Sequence, residues 1–243
     1  MDIREIKLKS KEFAFSNKWL IWKPLLLIYA ITFITTFISE LVLTFNEGLG
    51  SIIGVIFEII VLFITPLLTV ALIAMIISRV KGNNEATFKN KVEEYKSKWT
   101  NFLMGYVMME IYIFLWSLLF IIPGIIKAIE YSQVYAIYSK DPDIEWRQCL
   151  EKSKSMMKGH KMEYFIMNLS FIGWYFLSVF TFGIALIWVL PYVTVTQVNY
   201  FLALTGEENI IENVEINEVV TCPFCGQETE KDAKFCPKCG SHL

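Results

Sequence analysis

Near the end of the 243-residue chain, Cys222-Pro223-Phe224-Cys225-Gly226 and Cys236-Pro237-Lys238-Cys239-Gly240 space four thiols as C-x2-C-x10-C-x2-C. Two such pairs bring four thiolates to one tetrahedral Zn²⁺ at ~2.3 Å. Each Cys-Pro-x-Cys-Gly closes a tight turn, and its glycine tolerates positive φ just past the second ligand. Four protein ligands fill the shell, so the predicted zinc site is structural and not hydrolytic. About 20 residues bury too little surface to fold alone, so metal binding would supply the folding energy. Phe224 and Phe235 are expected to pack around the metal, and His242 to be a spare surface residue. Disulfides are the competing chemistry, disfavoured on the reducing side of a membrane. The fifth cysteine, Cys149, sits beside Leu150 with no paired histidine and reads as a small packing residue.

A second set of chemically capable residues lies inside apolar stretches: Glu40, Glu58, Glu110, Lys127 and Glu130. Ionisable groups in a bilayer are costly, so each is a candidate for function. Lys127 and Glu130, at i and i+3, can pair on one helix face, and Glu58 at similar depth could join them. Glu58, Glu110, Lys127 and Glu130 together form a candidate intramembrane polar site for a proton, a cation or a lipid headgroup. The plainer alternative is a structural Lys127–Glu130 pair, with Glu40 reaching for the surface.

The elements that hold these groups follow from hydropathy and charge. Of all residues, 55% are hydrophobic and 19% charged, which argues against a soluble domain. Trp19–Phe45 contains one acid and one base, and Ser51–Ser78 contains Glu58 alone. Runs of 18 or more apolar residues span a bilayer. These features speak against a soluble enzyme, a secreted disulfide scaffold and a free nucleic-acid binder. The first run is too long for a signal peptide's apolar region and is expected to stay as an anchor.

The Lys and Arg residues cluster: six from Arg4 to Lys23, six from Arg79 to Lys98, six from Lys140 to Lys161, and three in the tail. The positive-inside rule places all these segments, with both termini, on the cytoplasmic face of a cell membrane. Even numbers of crossings must then separate them. An all-α polytopic fold follows, with six transmembrane helices as three hairpins: Trp19–Phe45 and Ser51–Ser78, Asn101–Ile122 and Gly124–Ser139, Met162–Phe182 and Ile184–Leu204. Outer turns are predicted at Asn46–Gly50, Pro123–Gly124 and Gly183. Glu40, Glu58, Lys127 and Glu130 then fall within about 10 Å of those turns. The fourth span has about 16 residues, ~24 Å of helix; a re-entrant or tilted element is its alternative. Pro66 and Pro191 inside spans, near Thr65 and Thr194, predict kinks whose freed carbonyls take hydroxyl donors.

A basic amphipathic segment precedes each hairpin. Ile3, Ile6, Ser10 and Phe13 share one face; so do Phe88, Val92, Tyr95, Trp99 and Phe102. In the third segment Asp141-Pro142 reads as N-cap and N1, Gly159 as the stop, and Ile144, Cys149, Leu150, Met156 and Met157 as the apolar face. These helices are expected to lie on the inner leaflet, aromatics in lipid and lysines toward anionic headgroups. The recurrence suggests a threefold repeat, against the plain alternative that any cytoplasmic junction collects Lys and Trp.

The membrane domain therefore covers residues 1–205, an acidic linker 206–220, and the zinc ribbon 221–243. In the linker, Ile210, Ile211, Val214 and Ile216 allow a short strand. From Thr221 onward Lys231, Lys234 and Lys238 are matched by Glu228, Glu230 and Asp232, leaving no basic stripe for nucleic acid.

Ser155-Met156-Met157-Lys158-Gly159-His160-Lys161, Ser170-Phe171-Ile172-Gly173-Trp174, Gly183-Ile184 and Pro191-Tyr192 resemble the bacterial integral-membrane family known as domain of unknown function 975. Ile122-Pro123-Gly124-Ile125-Ile126-Lys127 and the aspartates flanking Pro142 fit as well, and the resemblance covers most of 1–205. It implies a multi-pass bacterial membrane protein, supplies no activity and carries over no site residues. The tail resembles a short zinc ribbon appended to that domain.

No nucleophile–base pair or histidine-based metal site occurs at recognisable spacing, so a non-enzymatic role is expected. The leading expectation is a membrane adaptor or scaffold, embedded in the bilayer, whose cytoplasmic zinc ribbon docks a partner protein. The alternative is a small transporter or channel using Glu58, Lys127 and Glu130. Nothing in the sequence sets an oligomeric state.

Overall fold

Long apolar runs become long helices, and their ends fall where proline, glycine or a tertiary hydrogen bond interrupts the ladder. The computed structural model describes residues 3–181, 183–207, 219–221, 225, 228–230 and 239–241. The chain divides into two compact units, Met1–Asn209 and Ile210–Leu243.

In the first unit, α1 (Ile3–Ser16) is followed by α2 (Lys18–Phe45) and α3 (Glu47–Val80). Then come α4 (Phe88–Tyr95), a short 3₁₀ turn, and α5 (Trp99–Leu119). Next are α6 (Ile121–Glu130), α7 (Val134–Lys140) and α8 (Trp146–Met156). The unit ends with α9 (Lys161–Leu169), α10 (Ile172–Phe180) and α11 (Leu186–Leu204). Among the described residues, four stretches are long and apolar enough to cross a membrane: Lys18–Phe45, Gly50–Val80, Phe88–Leu119 and Leu186–Leu204.

The expected fourth and fifth spans are not single helices. Residues 124–139 are split between α6 and α7 by a break at Tyr131–Gln133, and 162–182 between α9 and α10 by a break at Ser170–Phe171. At the first break the Ser153 hydroxyl of α8 donates to the Glu130 carbonyl at 2.8 Å and accepts from the Gln133 N–H at 3.3 Å. One side chain thus partners two backbone groups that an unbroken ladder would pair. At the second, Phe171 turns into the core, 1% exposed, with its ring edge-on to Tyr192.

Turns differ in detail from the expectations. α2 and α3 are separated by extended Asn46 alone. The break after α5 is at extended Phe120, and Pro123 sits in the first turn of α6, where a missing N–H leaves no helical bond unmade. Gly183, at φ +85°, does turn the chain before α11, and Gly159, at φ +89°, does stop the helix before α9. Asp141 ends α7 instead of opening α8: its N–H bonds the Ile137 carbonyl, and Pro142 disfavours helical backbone at the residue before it. α8 starts at Trp146.

The three amphipathic helices bury part of their apolar faces against neighbouring helices. Ile6, Ser10, Phe13 and Ala14 of α1 are buried, and α1 packs along α11, where Asn199 Nδ2 donates to Ser10 Oγ at 2.8 Å. Tyr95 of α4 is buried and donates to the Ser139 carbonyl at 2.7 Å. Cys149, Leu150 and Ser153 of α8 are buried, with α8 packed on α5 and α7. A core of Ile6, Met157, Tyr164, Met167, Phe171, Val189, Val193 and Tyr200 ties α1, α9 and α11 together. The exposed large apolar side chains run through Leu26–Phe45 of α2, Ile52–Ile64 of α3, Ile111–Ile126 of α5 and α6, and Ile172–Trp188.

The proline kinks are satisfied in part by another donor. Thr65 and Thr194 do donate to carbonyls four residues back, Val61 at 2.9 Å and Leu190 at 2.8 Å. The carbonyl that Pro191 deprives of a helical partner is that of Ile187, and it accepts from the Trp22 indole of α2.

In the second unit, β1 (Val219–Thr221) and β2 (Glu228–Glu230) pair antiparallel, with Val219 opposite Glu230 and Thr221 opposite Glu228. The linker strand expected around Ile210–Ile216 lies outside the described residues.

Candidate functional site

The polar residues of the first unit gather in three places. The first is centred on Glu130, at the end of α6 and 5% exposed. Lys127, one turn earlier, donates to its Oε2 at 2.6 Å, and Lys161, opening α9, donates to its Oε1 at 2.5 Å. The Lys127 ammonium also lies 5.1 Å from the Trp116 ring centroid and 5.9 Å from that of Tyr131. A carboxylate in this position is matched by two cations, one on each oxygen. Lys161 and Ser153 belong to the third basic segment, so Glu130 sits against that segment. The chain break after Glu130 makes this approach possible.

The second place is a groove between α2 and α3. Thr32, Thr36, Ser39 and Glu40 from α2 face Gly54, Glu58 and Thr65 from α3, with Tyr106 of α5 at one end, around a cavity of about 480 Å³. The hydroxyls of Thr36, Ser39 and Thr65 donate to carbonyls of their own helices. Among the described residues, neither Glu40 nor Glu58 has an ion-pair partner. Lys127 and Glu130 do not line this groove, so the structure does not assemble Glu58, Lys127 and Glu130 into one site. Glu110 stands apart too, exposed on α5 one turn beyond Tyr106.

The third place joins the ends of three helices. Glu207, three residues past α11, pairs with Lys140 at the end of α7 and with Lys81 just past α3. The hydrogen bonds from Lys140 and then Lys81 hold its carboxyl below the usual carboxylate range. Lys98 likewise pairs with Asp143, linking the start of α5 to the loop after α7. The ends of α3, α7 and α11 and the start of α5 are thereby tied to basic segments.

Of the predicted zinc ligands, Cys222 and Cys236 lie outside the described residues, as do Phe224, Phe235 and His242. Cys225 is in a turn of the loop joining β1 to β2, half-buried. Cys239 is in a turn and exposed, with its Sγ 2.9 Å from Ser241 Oγ, and Gly240 after it has φ +72°. That positive φ is the backbone that a Cys-Pro-x-Cys-Gly turn asks of its glycine. The hairpin register places Cys225 in the connection between β1 and β2. Both features fit a ribbon that offers thiolates from two turns.

Residues 1–130 and 120–208 match the family described as protein of unknown function (DUF975). The chain belongs to this family. Residues 221–243 match a zinc-ribbon domain. Comparison with curated proteins and with solved structures gives no match. The family domain therefore spans the whole helical unit, including both broken segments, and the ribbon follows it.

Cys149 is fully buried, its Sγ 3.6 Å from the Val134 carbonyl, and burial pushes its thiol up to about 12. It is a packing residue with an inert thiol. Sequence reasoning missed Ser153, Lys161 and Glu207. Lys161 closes the Ser155–Lys161 motif and Ser153 stands two residues before it, but their partners are 31 and 23 residues away, beyond any helical spacing.

Proposed function

We propose that this is a non-enzymatic, multi-pass membrane protein that holds a zinc ribbon at the cytoplasmic face for docking a partner protein. The observation that carries the reading is Glu207, bridging Lys81 and Lys140 at the point where the chain leaves α11. Residues 81, 140 and 207 then lie on one side, so even numbers of crossings separate them. The Lys/Arg-rich loops at that side make it cytoplasmic. α1 packs along α11, with Ser10 bonded to Asn199, and is assigned to the same side.

Six crossings satisfy this count, with α6–α7 and α9–α10 as broken crossings. Interrupted helices are tolerated at membrane depth where protein covers the freed backbone, and Ser153 and the buried Phe171 supply that cover. Cys222, Cys225, Cys236 and Cys239 would hold one Zn²⁺, which would fold the ribbon. A closed thiolate shell suits a docking module and offers no open coordination position. A transport path would run through the α2–α3 groove, lined by Glu40 and Glu58, because Lys127 and Glu130 are paired elsewhere.

The test is crosslinking in native membranes with the full chain and with residues 210–243 deleted. The docking reading expects the truncated chain to insert normally and to lose a defined crosslinked protein. Retention of every crosslink by the truncated chain would refute it.

A further inference from the structure

We propose that a cavity between α5, α6 and α8 binds the phosphodiester headgroup of an anionic lipid. The cavity, about 430 Å³, is lined by Arg147, Glu151 and Lys154 of α8, Trp146 beside them, and Tyr112 and Tyr131 opposite. Arg147, Glu151 and Lys154 stand at i, i+4 and i+7, on one face of the helix. All three are exposed, and among the described residues none takes part in an ion pair. Their charge sums to +1 around the cavity, with two cations ready for one phosphate. The Arg147 guanidinium lies 5.0 Å from the Trp146 ring centroid, which orients its planar fork. That fork matches two phosphate oxygens, while Lys154 adds a point charge. Glu151 is an acceptor for a headgroup hydroxyl and a barrier to a second negative charge.

The surroundings decide between a lipid and a free phosphate. Tyr112 and Met108 line the cavity from α5, and the next residues along that helix, Ile111, Phe114 and Leu115, are exposed apolar side chains. An acyl chain leaving the cavity would run along them, whereas a free phosphate gains nothing there. Basic pockets flanked by Trp and Tyr, beside the apolar surface of membrane helices, suit anionic headgroups. This site uses neither the zinc ribbon nor the α2–α3 groove, and it stands or falls apart from partner docking.

The test uses the full chain in neutral detergent, titrated with phosphatidylglycerol, phosphatidylcholine or inorganic phosphate, with bound lipid read by native mass spectrometry. Phosphatidylglycerol is expected to bind, and R147Q/K154Q to weaken it at least about tenfold without changing the thermal midpoint of the lipid-free protein. K152Q/K158Q removes the same charge from exposed positions of the segment that do not line the cavity, and is expected to keep parental affinity. Equal loss in both double variants would overturn the site in favour of diffuse attraction. Equal binding of phosphatidylcholine, or binding of inorganic phosphate at the affinity of phosphatidylglycerol, would overturn the anionic-lipid assignment.

Discussion

Glu130 shows how a buried acid is made permanent. Its side chain is nearly enclosed, and two ammonium groups from different helices occupy its two oxygens. Removing one member of a buried ion pair strands the other charge, at about 3 kcal/mol. Glu130→Gln is therefore expected to lower stability by about that amount, measured as thermal or denaturant unfolding in detergent. Lys161→Gln is expected to cost about 1 kcal/mol, because Lys161 is more exposed and water screens its loss. Parental stability in Glu130→Gln would show that the triad is not what holds α6 to α9. The pair Lys127–Glu130 is legible from its i, i+3 spacing. Lys161 is not, because only the folded chain brings it within reach.

At the scale of elements, hydropathy makes α2, α3, α5 and α11 legible, because their apolar runs are long and carry few charges. The apolar faces of α1, α4 and α8 are legible by periodicity, but what covers them is not. Period alone cannot distinguish lipid from a neighbouring helix, and here α11 packs against α1, α3 against α4, and α5 and α7 against α8. The breaks at Tyr131–Gln133 and Ser170–Phe171 escape the sequence because no proline or glycine marks them. They depend on Ser153 and on the core around Phe171. The junction at Glu207 gives a pH-dependent prediction. Its carboxyl is held below the ordinary value of 4.5 by Lys140 and Lys81. The stabilisation it brings is therefore complete above that value and is lost as pH falls through the lower folded value. The pair is partly exposed, so its worth is at most about 1 kcal/mol. The thermal midpoint of the parent is expected to approach that of Glu207→Gln as the medium is acidified, and to exceed it at neutral pH. A constant difference across that range would mean the charge of Glu207 is not what joins these helix ends.

On the scale of the whole molecule, the account rests on sidedness. Glu207 draws the ends of α3, α7 and α11 together, and the proposal places the basic segments on that side. The cysteine spacing is legible without a structure, since four thiols at C-x2-C-x10-C-x2-C have one common chemistry, and residues 221–243 match a zinc-ribbon domain. The cytoplasmic side proposed for the ribbon rests on the Glu207 pairs with Lys81 and Lys140 and on the positive-inside rule. The most direct test is limited proteolysis of right-side-out and inverted membrane vesicles with a glutamate-specific protease, followed by detection of the C-terminal fragment. Release of the ribbon from inverted vesicles, with protection in right-side-out ones, is the predicted result. Release from right-side-out vesicles with protection in inverted ones would contradict it.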